Sequence, residues 1–195
     1  MIAILDYGAG NLTSVRLAFA AVGADATVTS DPAVAAKADK VVFPGVGAAK
    51  RAMENLRRLG LDRAVRDAVS ADKPFLGICL GMQILFERSE EDGGVDCLGV
   101  LPGRVRRFPA VPGVKVPEIG WNQVTAAGEP NLADGEFYFV HSYYAETCPY
   151  TVGVTEYAGV SFTSAVRRGR LVAYQFHPEK SGRLGLALLR EFAAC

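Results

Sequence analysis

The sequence lacks the features that would place it among metal-bound, disulfide-stapled or membrane-spanning proteins. Its 195 residues include four cysteines, at the irregular positions 79, 97, 148 and 195. They form no CxxC pair or Cys/His cluster, so neither a metal site nor a disulfide framework is predicted. No apolar run approaches about 18 residues, the length that a transmembrane helix needs.

The chain also lacks an excess of either charge. Lys and Arg total 21, as do Asp and Glu, which gives a formal net charge of zero. Nothing therefore draws the whole molecule toward nucleic acid or an anionic membrane. A secretory signal has a basic segment followed by an apolar core, and the first residues of this sequence do not show that pattern. We expect a cytoplasmic enzyme with reduced thiols, and neither nucleic acid nor membrane as a partner.

Half of the residues are hydrophobic, which is enough to bury the core of one domain spanning residues 1–195. Short apolar runs alternate with helical patterns in the first part of the chain, which predicts an α/β fold with a mostly parallel central sheet flanked by helices. Strands are predicted at residues 2–5, 26–29 and 40–43 and in the apolar run before Cys79. Helices are predicted at residues 12–22, from Pro32, at 48–70 with a break near Gly60, and at 82–87.

The pattern changes after Ser89, where residues 90–94 are polar and are interpreted as a solvated loop. Short extended runs separated by Gly and Pro then predict a small subsidiary antiparallel sheet, and the chain closes with a helix at residues 181–194. The extended runs are residues 100–101, 104–108, 136–140, 151–155, 161–166 and 171–176.

A Gly-x-Gly pattern follows the first predicted strand, at Gly8 and Gly10. A dinucleotide fingerprint needs a third small residue three positions after the second glycine, where this chain has Thr13. A tight turn between strand and helix is the better interpretation.

The most informative motif is Gly-x-Cys-x-Gly at residues 77–81, between a predicted strand and a predicted helix. This is the arrangement of a nucleophile elbow with Cys79 as the nucleophile. The turn would expose the sulfur at the carboxyl end of the strand and direct the next backbone N–H groups to the same point. The alternative is a buried structural cysteine in a tight turn.

A cysteine nucleophile needs a base, and the chain has two histidines, His141 and His177. His177 follows a predicted strand and precedes Pro178 and Glu179, whose carboxylate could hold the imidazole ring in the productive tautomer. His141 also ends a strand, but the residues that follow it supply no carboxylate. The sequence therefore favours His177 as the base, and a structural role stays open for either histidine.

Together, residues 77–83 (GICLGMQ) and 175–179 (QFHPE) resemble the class I, triad-type glutamine amidotransferases. Within that family, further motifs are similar to the glutaminase subunits of imidazole glycerol phosphate synthase, an enzyme of histidine biosynthesis. These are residues 7–11, 44–47, 120–122, 141–144 and 179–182. Where the family commonly has Pro-His-Met, this chain has Pro117-Glu118-Ile119. A contact that relatives make through the residue at position 118 is therefore not expected to carry over unchanged.

The resemblance implies a flavodoxin-like fold, no cofactor, and glutamine as the substrate. It implies a catalytic triad of Cys79, His177 and Glu179. Leu80, just after the nucleophile, and Val46 would supply the N–H groups of the oxyanion hole. The glutamine-binding residues would be Gly47, Gln83, Ser142 and Tyr143. A helix-terminal hydrogen bond is the alternative role for Gln83.

The resemblance also implies a heterodimer with a cyclase subunit of (β/α)8-barrel fold that receives ammonia through an internal passage. That subunit would convert PRFAR to imidazole glycerol phosphate and AICAR. Trp121 and Lys180 are candidate interface residues, although Trp121 could be a core aromatic and Lys180 a solvated charge. The alternatives are another amidotransferase subunit, such as that of anthranilate or aminodeoxychorismate synthase, a γ-glutamyl or cysteine hydrolase, and a non-catalytic subunit on the same scaffold.

Overall fold

The structure, a computed structural model, describes residues 1–8, 10–128 and 132–195. Ala9, the middle of the predicted turn after the first strand, lies outside the described residues. Within the described ranges no helix combines the length and apolar character needed to cross a membrane.

The first half of the chain alternates strands and helices as the sequence predicts. The strands are β1 (Ile2–Leu5), β2 (Ala26–Thr29), β3 (Lys40–Gly45) and β4 (Phe75–Cys79). The helices are α1 (Leu12–Ala21), α2 (Pro32–Lys37), α3 (Ala49–Leu59) and α4 (Leu61–Ser70).

Local chemistry sets the helix ends. The Asn11 side chain accepts a hydrogen bond from the backbone N–H of Ser14 at 3.3 Å and caps α1. Asp31 caps α2 in the same way, and Pro32 occupies the first turn, where its missing N–H costs nothing. Gly60 separates α3 from α4 with φ of +70°, a left-handed conformation that glycine adopts without strain.

The second half is mainly extended chain and ends in a helix. Its elements are α5 (Leu80–Gln83), β5 (Arg88–Ser89), β6 (Val95–Asp96), β7 (Arg104–Arg107), β8 (Glu118–Ala126), β9 (Gly135–His141), β10 (Tyr143–Ala145), β11 (Thr151–Tyr157), β12 (Val160–Arg168), β13 (Leu171–Tyr174) and α6 (Gly182–Ala194). Two short 3-10 turns lie at Glu91–Gly93 and Pro178–Lys180.

The sheet has the order β2-β1-β3-β4-β13 in its parallel part, which is the order of flavodoxin-like folds. Antiparallel strands continue from β13 through β12, β10 and β7, and a branch leads from β12 through β11 to the β8–β9 hairpin. The predicted α/β class with a central parallel sheet and a subsidiary antiparallel part is confirmed.

Strand alternation divides the core into two clusters. Val41 and Phe43 of β3 belong to one cluster, with residues of α3 and α4, whereas Val42 belongs to the other, with residues of α1 and α6. Because successive side chains of a strand point to opposite faces, helices cover both faces of the sheet. The carboxyl ends of β3 and β4 remain open, and the candidate site lies there.

The predicted helix at residues 82–87 is wrong. Helix α5 begins at Leu80 and ends at Gln83, because the chain turns beyond it. The carbonyls of Ile84 and Leu85 accept hydrogen bonds from Leu98 and Leu101 instead of from a following helical turn. The predicted extended run at residues 100–101 is wrong for the same reason, since those N–H groups are bonded to this turn.

Candidate active site

Cys79 occupies a strained turn between β4 and α5. Its φ is +53° and its ψ is −113°, a conformation that a residue with a side chain rarely adopts. A Cβ added at Gly81 would lie 1.8 Å from the Phe43 carbonyl oxygen, and one added at Gly77 would lie 2.9 Å from the Cβ of Ala173. The glycines of the motif therefore allow backbone and strand to approach closely enough to form the elbow.

A cavity of about 270 Å³ opens beside the sulfur. It brings together all of the oxyanion and substrate-binding residues that the sequence singles out. Its lining comprises Val46, Gly47, Cys79, Leu80, Gln83, Glu91, Pro117, Val140, His141, Ser142 and Tyr143. A small concave site with convergent polar groups suits a ligand the size of an amino acid.

The backbone around Cys79 has the layout that an oxyanion hole would need. Leu80 is the first residue of α5, so its N–H has no partner within that helix. Gly45 pairs with Cys79 in the register of β3 and β4, which places Val46 just beyond the sheet edge. Val46 is 41% exposed, and Gly47 has φ of +94°.

His177 and Glu179 lie together in the interior. The Nδ1 atom of His177 is 2.8 Å from Oε1 of Glu179, and the two side chains are 3% and 1% exposed. Because the carboxylate can only accept, Nδ1 carries the proton and Nε2 is the ring nitrogen available to Cys79. The short turn at Pro178–Lys180 brings the carboxylate back to the ring.

The Cys79–His177 pair is electrostatically coupled. Burial lowers the pKa of His177, but the interactions with the Cys79 sulfur and with Glu179 outweigh it and raise the pKa from 6.5 to about 10. The imidazolium is therefore the favoured form of His177 at neutral pH. A thiolate–imidazolium pair is the form in which a cysteine is a strong nucleophile.

Ser181 holds the histidine in place, a role that the sequence analysis missed. Its hydroxyl donates to the carbonyl of His177 at 2.7 Å and accepts from the N–H of Tyr138 at 3.0 Å. The N–H of His177 donates to the carbonyl of Tyr138 at 2.9 Å. Three hydrogen bonds thus tie the histidine to strand β9. Serine two residues after a His-x-Glu pair is the only signal in the sequence, and it is too common to be diagnostic.

His141 is engaged elsewhere. Its Nδ1 lies 2.8 Å from the carbonyl oxygen of Tyr143, and its Nε2 lies 3.0 Å from Oε2 of Glu118. Glu118, which comes from β8, also accepts from Asn122 at 2.7 Å. The residue that departs from the family pattern therefore supplies the carboxylate that is missing next to His141 in the sequence.

Glu91 is a second residue that the sequence analysis missed. The interpretation of residues 90–94 as a solvated loop is wrong at this position, because the Glu91 carboxylate lines the cavity and accepts from the N–H of Ala49 at 2.6 Å. Burial raises the pKa of Glu91, although the hydrogen bond from Ala49 opposes the change. Sequence offers only an acidic run here, which is more often surface.

Two glutamines are joined by a hydrogen bond next to Cys79. Gln83 donates from Nε2 to the carbonyl of Tyr143 at 2.7 Å and to Oε1 of Gln175 at 2.9 Å. Gln175, fully buried, donates from Nε2 to the Cys79 sulfur at 3.8 Å. Gln83 therefore contacts the site through its amide rather than capping a helix end, and Gln175 is a further residue that the sequence reasoning did not single out.

Trp121 and Lys180 both contact Tyr138 on the surface near His177 and Glu179. Trp121 is 54% exposed, which excludes the core position considered for it, and its ring centroid is 6.2 Å from that of Tyr138. The ammonium nitrogen of Lys180 lies 5.7 Å from the centroid of the same Tyr138 ring, a cation–π contact. Ile119, on the same strand as Trp121, is 63% exposed.

Comparisons with known proteins cover nearly the whole chain. The profile of the family Glutamine amidotransferase class-I matches residues 3–194. The imidazole glycerol phosphate synthase subunit HisH 1 of Pseudomonas aeruginosa is 52% identical over 99% of this chain and 96% of its own length. Subunit HisH of Dehalococcoides mccartyi is 48% identical, over 98% and 96%.

A solved crystal structure described as a glutamine amidotransferase is similar over 100% of this chain and 99% of its own, with a TM-score of 0.78 and 20% identity. At that identity the likeness shows the fold alone. The family profile and the two relatives show more. The chain belongs to the class-I glutamine amidotransferase family and, within it, to the HisH subunits of imidazole glycerol phosphate synthase.

Proposed function

We propose that the chain hydrolyses glutamine to glutamate and ammonia through a Cys79–His177–Glu179 triad and passes the ammonia to a cyclase subunit. The observation that carries this proposal is the buried His177–Glu179 pair, whose Nδ1 and Oε1 atoms are 2.8 Å apart, beside a cysteine held in a strained elbow. The interactions with Cys79 and then with Glu179 raise the pKa of that imidazole. The same cysteine opens on a cavity lined by an acidic side chain and an amide.

In the first half of the reaction the Cys79 thiolate attacks the side-chain carboxamide carbon of glutamine. The N–H groups of Leu80 and Val46 stabilise the oxyanion that develops. When the C–N bond breaks, the His177 imidazolium gives its Nε2 proton to the leaving nitrogen, which departs as neutral ammonia. A γ-glutamyl thioester on Cys79 remains.

In the second half His177, now neutral, takes a proton from a water molecule that attacks the thioester carbonyl. The C–S bond breaks, glutamate leaves, and the thiolate–imidazolium pair is restored. Glu179 accepts from Nδ1 in both halves, so it keeps Nε2 facing the reacting atoms and stabilises the ring whenever it is charged.

Substrate recognition follows from the polar lining of the cavity. The Glu91 carboxylate suits the α-ammonium group of glutamine, while the carbonyl oxygen of Gln83 and the backbone of Ser142 and Tyr143 supply further hydrogen-bonding groups. At Gly47 nothing lies within 4 Å of the position a Cβ would take, so the substrate has open space next to this backbone.

Glu91→Gln is expected to raise the KM for glutamine by about 10- to 100-fold, the cost of a lost charge-assisted hydrogen bond, while kcat changes by no more than a few fold. Steady-state glutaminase assays measure both. Glu90→Gln is the matched control, because that neighbouring carboxylate pairs with Arg106 at 2.9 Å. A fall in kcat with an unchanged KM would contradict the assignment.

The cyclase partner, a (β/α)8 barrel, docks on the surface formed by Ile119, Trp121 and Lys180 in this proposal. Two large apolar side chains are exposed there, which is common at a protein interface. Lys180 directly follows Glu179 in the chain, so a partner that contacts Lys180 touches the residue next to a member of the triad. Ammonia released toward the partner would escape protonation in bulk water.

Coupled assays of the chain with and without the cyclase subunit test the function. We expect equal amounts of glutamate and ammonia from glutamine, a faster reaction when the cyclase subunit and its PRFAR substrate are present, and no hydrolysis of peptides. If the rate of glutamate formation does not change when the cyclase subunit is added, the proposed partnership with that subunit is wrong.

A further inference from the structure

A line of hydrogen bonds runs through two buried side-chain amides to the nucleophile. It begins at the carbonyl oxygen of Tyr143, passes through the amides of Gln83 and Gln175, and ends at the Cys79 sulfur. Gln83 is 5% exposed and Gln175 is 0% exposed, so both amides depend on these partners for their hydrogen bonds.

The Tyr143 carbonyl fixes the direction of every group in this line. A carbonyl only accepts, so the NH₂ group of Gln83 must face it, and the second N–H of that group then faces Oε1 of Gln175. With its oxygen occupied, Gln175 presents an N–H to the sulfur. Reversing either amide would set two acceptors or two donors against each other.

This direction has a consequence at both ends of the line. Both N–H bonds of Gln83 are used, so its free group is the carbonyl oxygen, an acceptor for a substrate N–H. The sulfur receives an N–H from Gln175 in addition to its interaction with His177. A donor stabilises a thiolate more than it stabilises a neutral thiol.

We propose that Gln175 is a positioning residue that directs a hydrogen bond to the Cys79 thiolate and holds the Gln83 carbonyl toward the substrate. The inference rests on the proposed function, since it gives Cys79 the role of nucleophile. It links substrate binding and nucleophile through one buried side chain. A purely structural Gln175 would satisfy Gln83 without affecting the sulfur.

Alkylation of Cys79 by iodoacetamide, without glutamine, separates these two roles. Mass spectrometry follows each cysteine in the same sample, and exposed Cys195 is the internal reference. At pH 6 we expect Gln175→Leu to slow the alkylation of Cys79 about 10-fold, the lower range for a hydrogen bond to a charged group, with no change at Cys195. His177 and Tyr7 are the titratable groups that interact with the sulfur, and neither is altered.

Gln83→Leu supplies the sharper test. No hydrogen bond joins Gln83 to the sulfur among the described residues, so Gln83→Leu changes the hydrogen bonding of Cys79 only by releasing Gln175. We expect Gln83→Leu to slow the alkylation of Cys79 by about threefold. The double variant should react no more slowly than Gln175→Leu alone, because the two residues belong to the same line of hydrogen bonds. Thr155→Val, which alters another buried polar side chain, is the control for general loosening.

Two results would overturn the inference. One is a rate of Cys79 alkylation in Gln175→Leu that stays within twofold of the wild-type rate. The other is a double variant in which the rate losses of the two single variants multiply. If Gln175→Leu does not fold, Gln175→Asn replaces it, since the shorter side chain keeps an amide but withdraws it from the sulfur. Glutaminase assays on the same preparations keep the two hypotheses apart. A wild type without glutaminase activity even when the cyclase subunit and PRFAR are added refutes the proposed function, whereas active enzyme with unaltered alkylation in the variants refutes the role of Gln175 alone.

Discussion

Replacing Cys79 with serine is expected to lower glutamine hydrolysis by about 10⁴-fold or more, the effect seen when a triad nucleophile is removed. A serine hydroxyl is far less acidic than a thiol, so His177 would no longer face a preformed anion. The readout is glutamate release by the complex with the cyclase subunit. Ammonia-dependent synthesis by that complex should continue at the wild-type rate when ammonium is added.

The other cysteines provide the controls for this experiment. Burial raises the pKa of the Cys97 thiol to about 11, so it stays protonated and unreactive at neutral pH. Cys195→Ser changes an exposed thiol and should leave glutaminase activity unaltered. A reactive glutamine analogue should label Cys79 alone. The assignment of Cys79 as the nucleophile would be contradicted by substantial glutamate release from Cys79→Ser. A parallel loss of ammonia-dependent synthesis would contradict it too.

The parallel half of the fold could be predicted because its signals are local. Strands β1 and β2 match their predicted bounds, and the break at Gly60 follows from a residue that readily adopts a positive φ. The elbow was equally predictable, since a cysteine flanked by two glycines directly after a buried strand is typical of this turn.

The rest depends on contacts between distant parts of the chain. The sequence does not predict strand β8, because its residues EIGWNQVTA mix polar side chains with glycine without a regular alternation. Its pairing with β9 comes from tertiary context. Glu118 and His141 are 23 positions apart by number, and only that pairing makes them neighbours. The position of Gln175 likewise depends on a distant contact, its hydrogen bond with Gln83 of α5. Sequence spacing carries none of this information.

Glu179→Gln should lower kcat by about 10²- to 10⁴-fold with little change in the KM for glutamine, since Glu179 orients the base and does not line the cavity. A glutamine can turn its NH₂ group toward Nδ1 of His177. The neutral ring would then carry its proton on Nε2 and could not accept one from the thiol. Glu146→Gln, at an exposed ion pair with Arg106, is the matched control for the same chemical change.

The pH dependence of stability gives Glu179→Gln a second readout. The native pKa of His177, about 10, lies above the unfolded value of 6.5. Its contribution to the free energy of unfolding is therefore fully present below about pH 6.5 and is lost as the pH rises through about 10. Removing the Glu179 carboxylate removes one of the interactions that raise this pKa, so the variant should lose less stability than the wild type between pH 6.5 and 10. Equal slopes of melting temperature against pH in this window would show that Glu179 does not stabilise the imidazolium, whatever its effect on kcat.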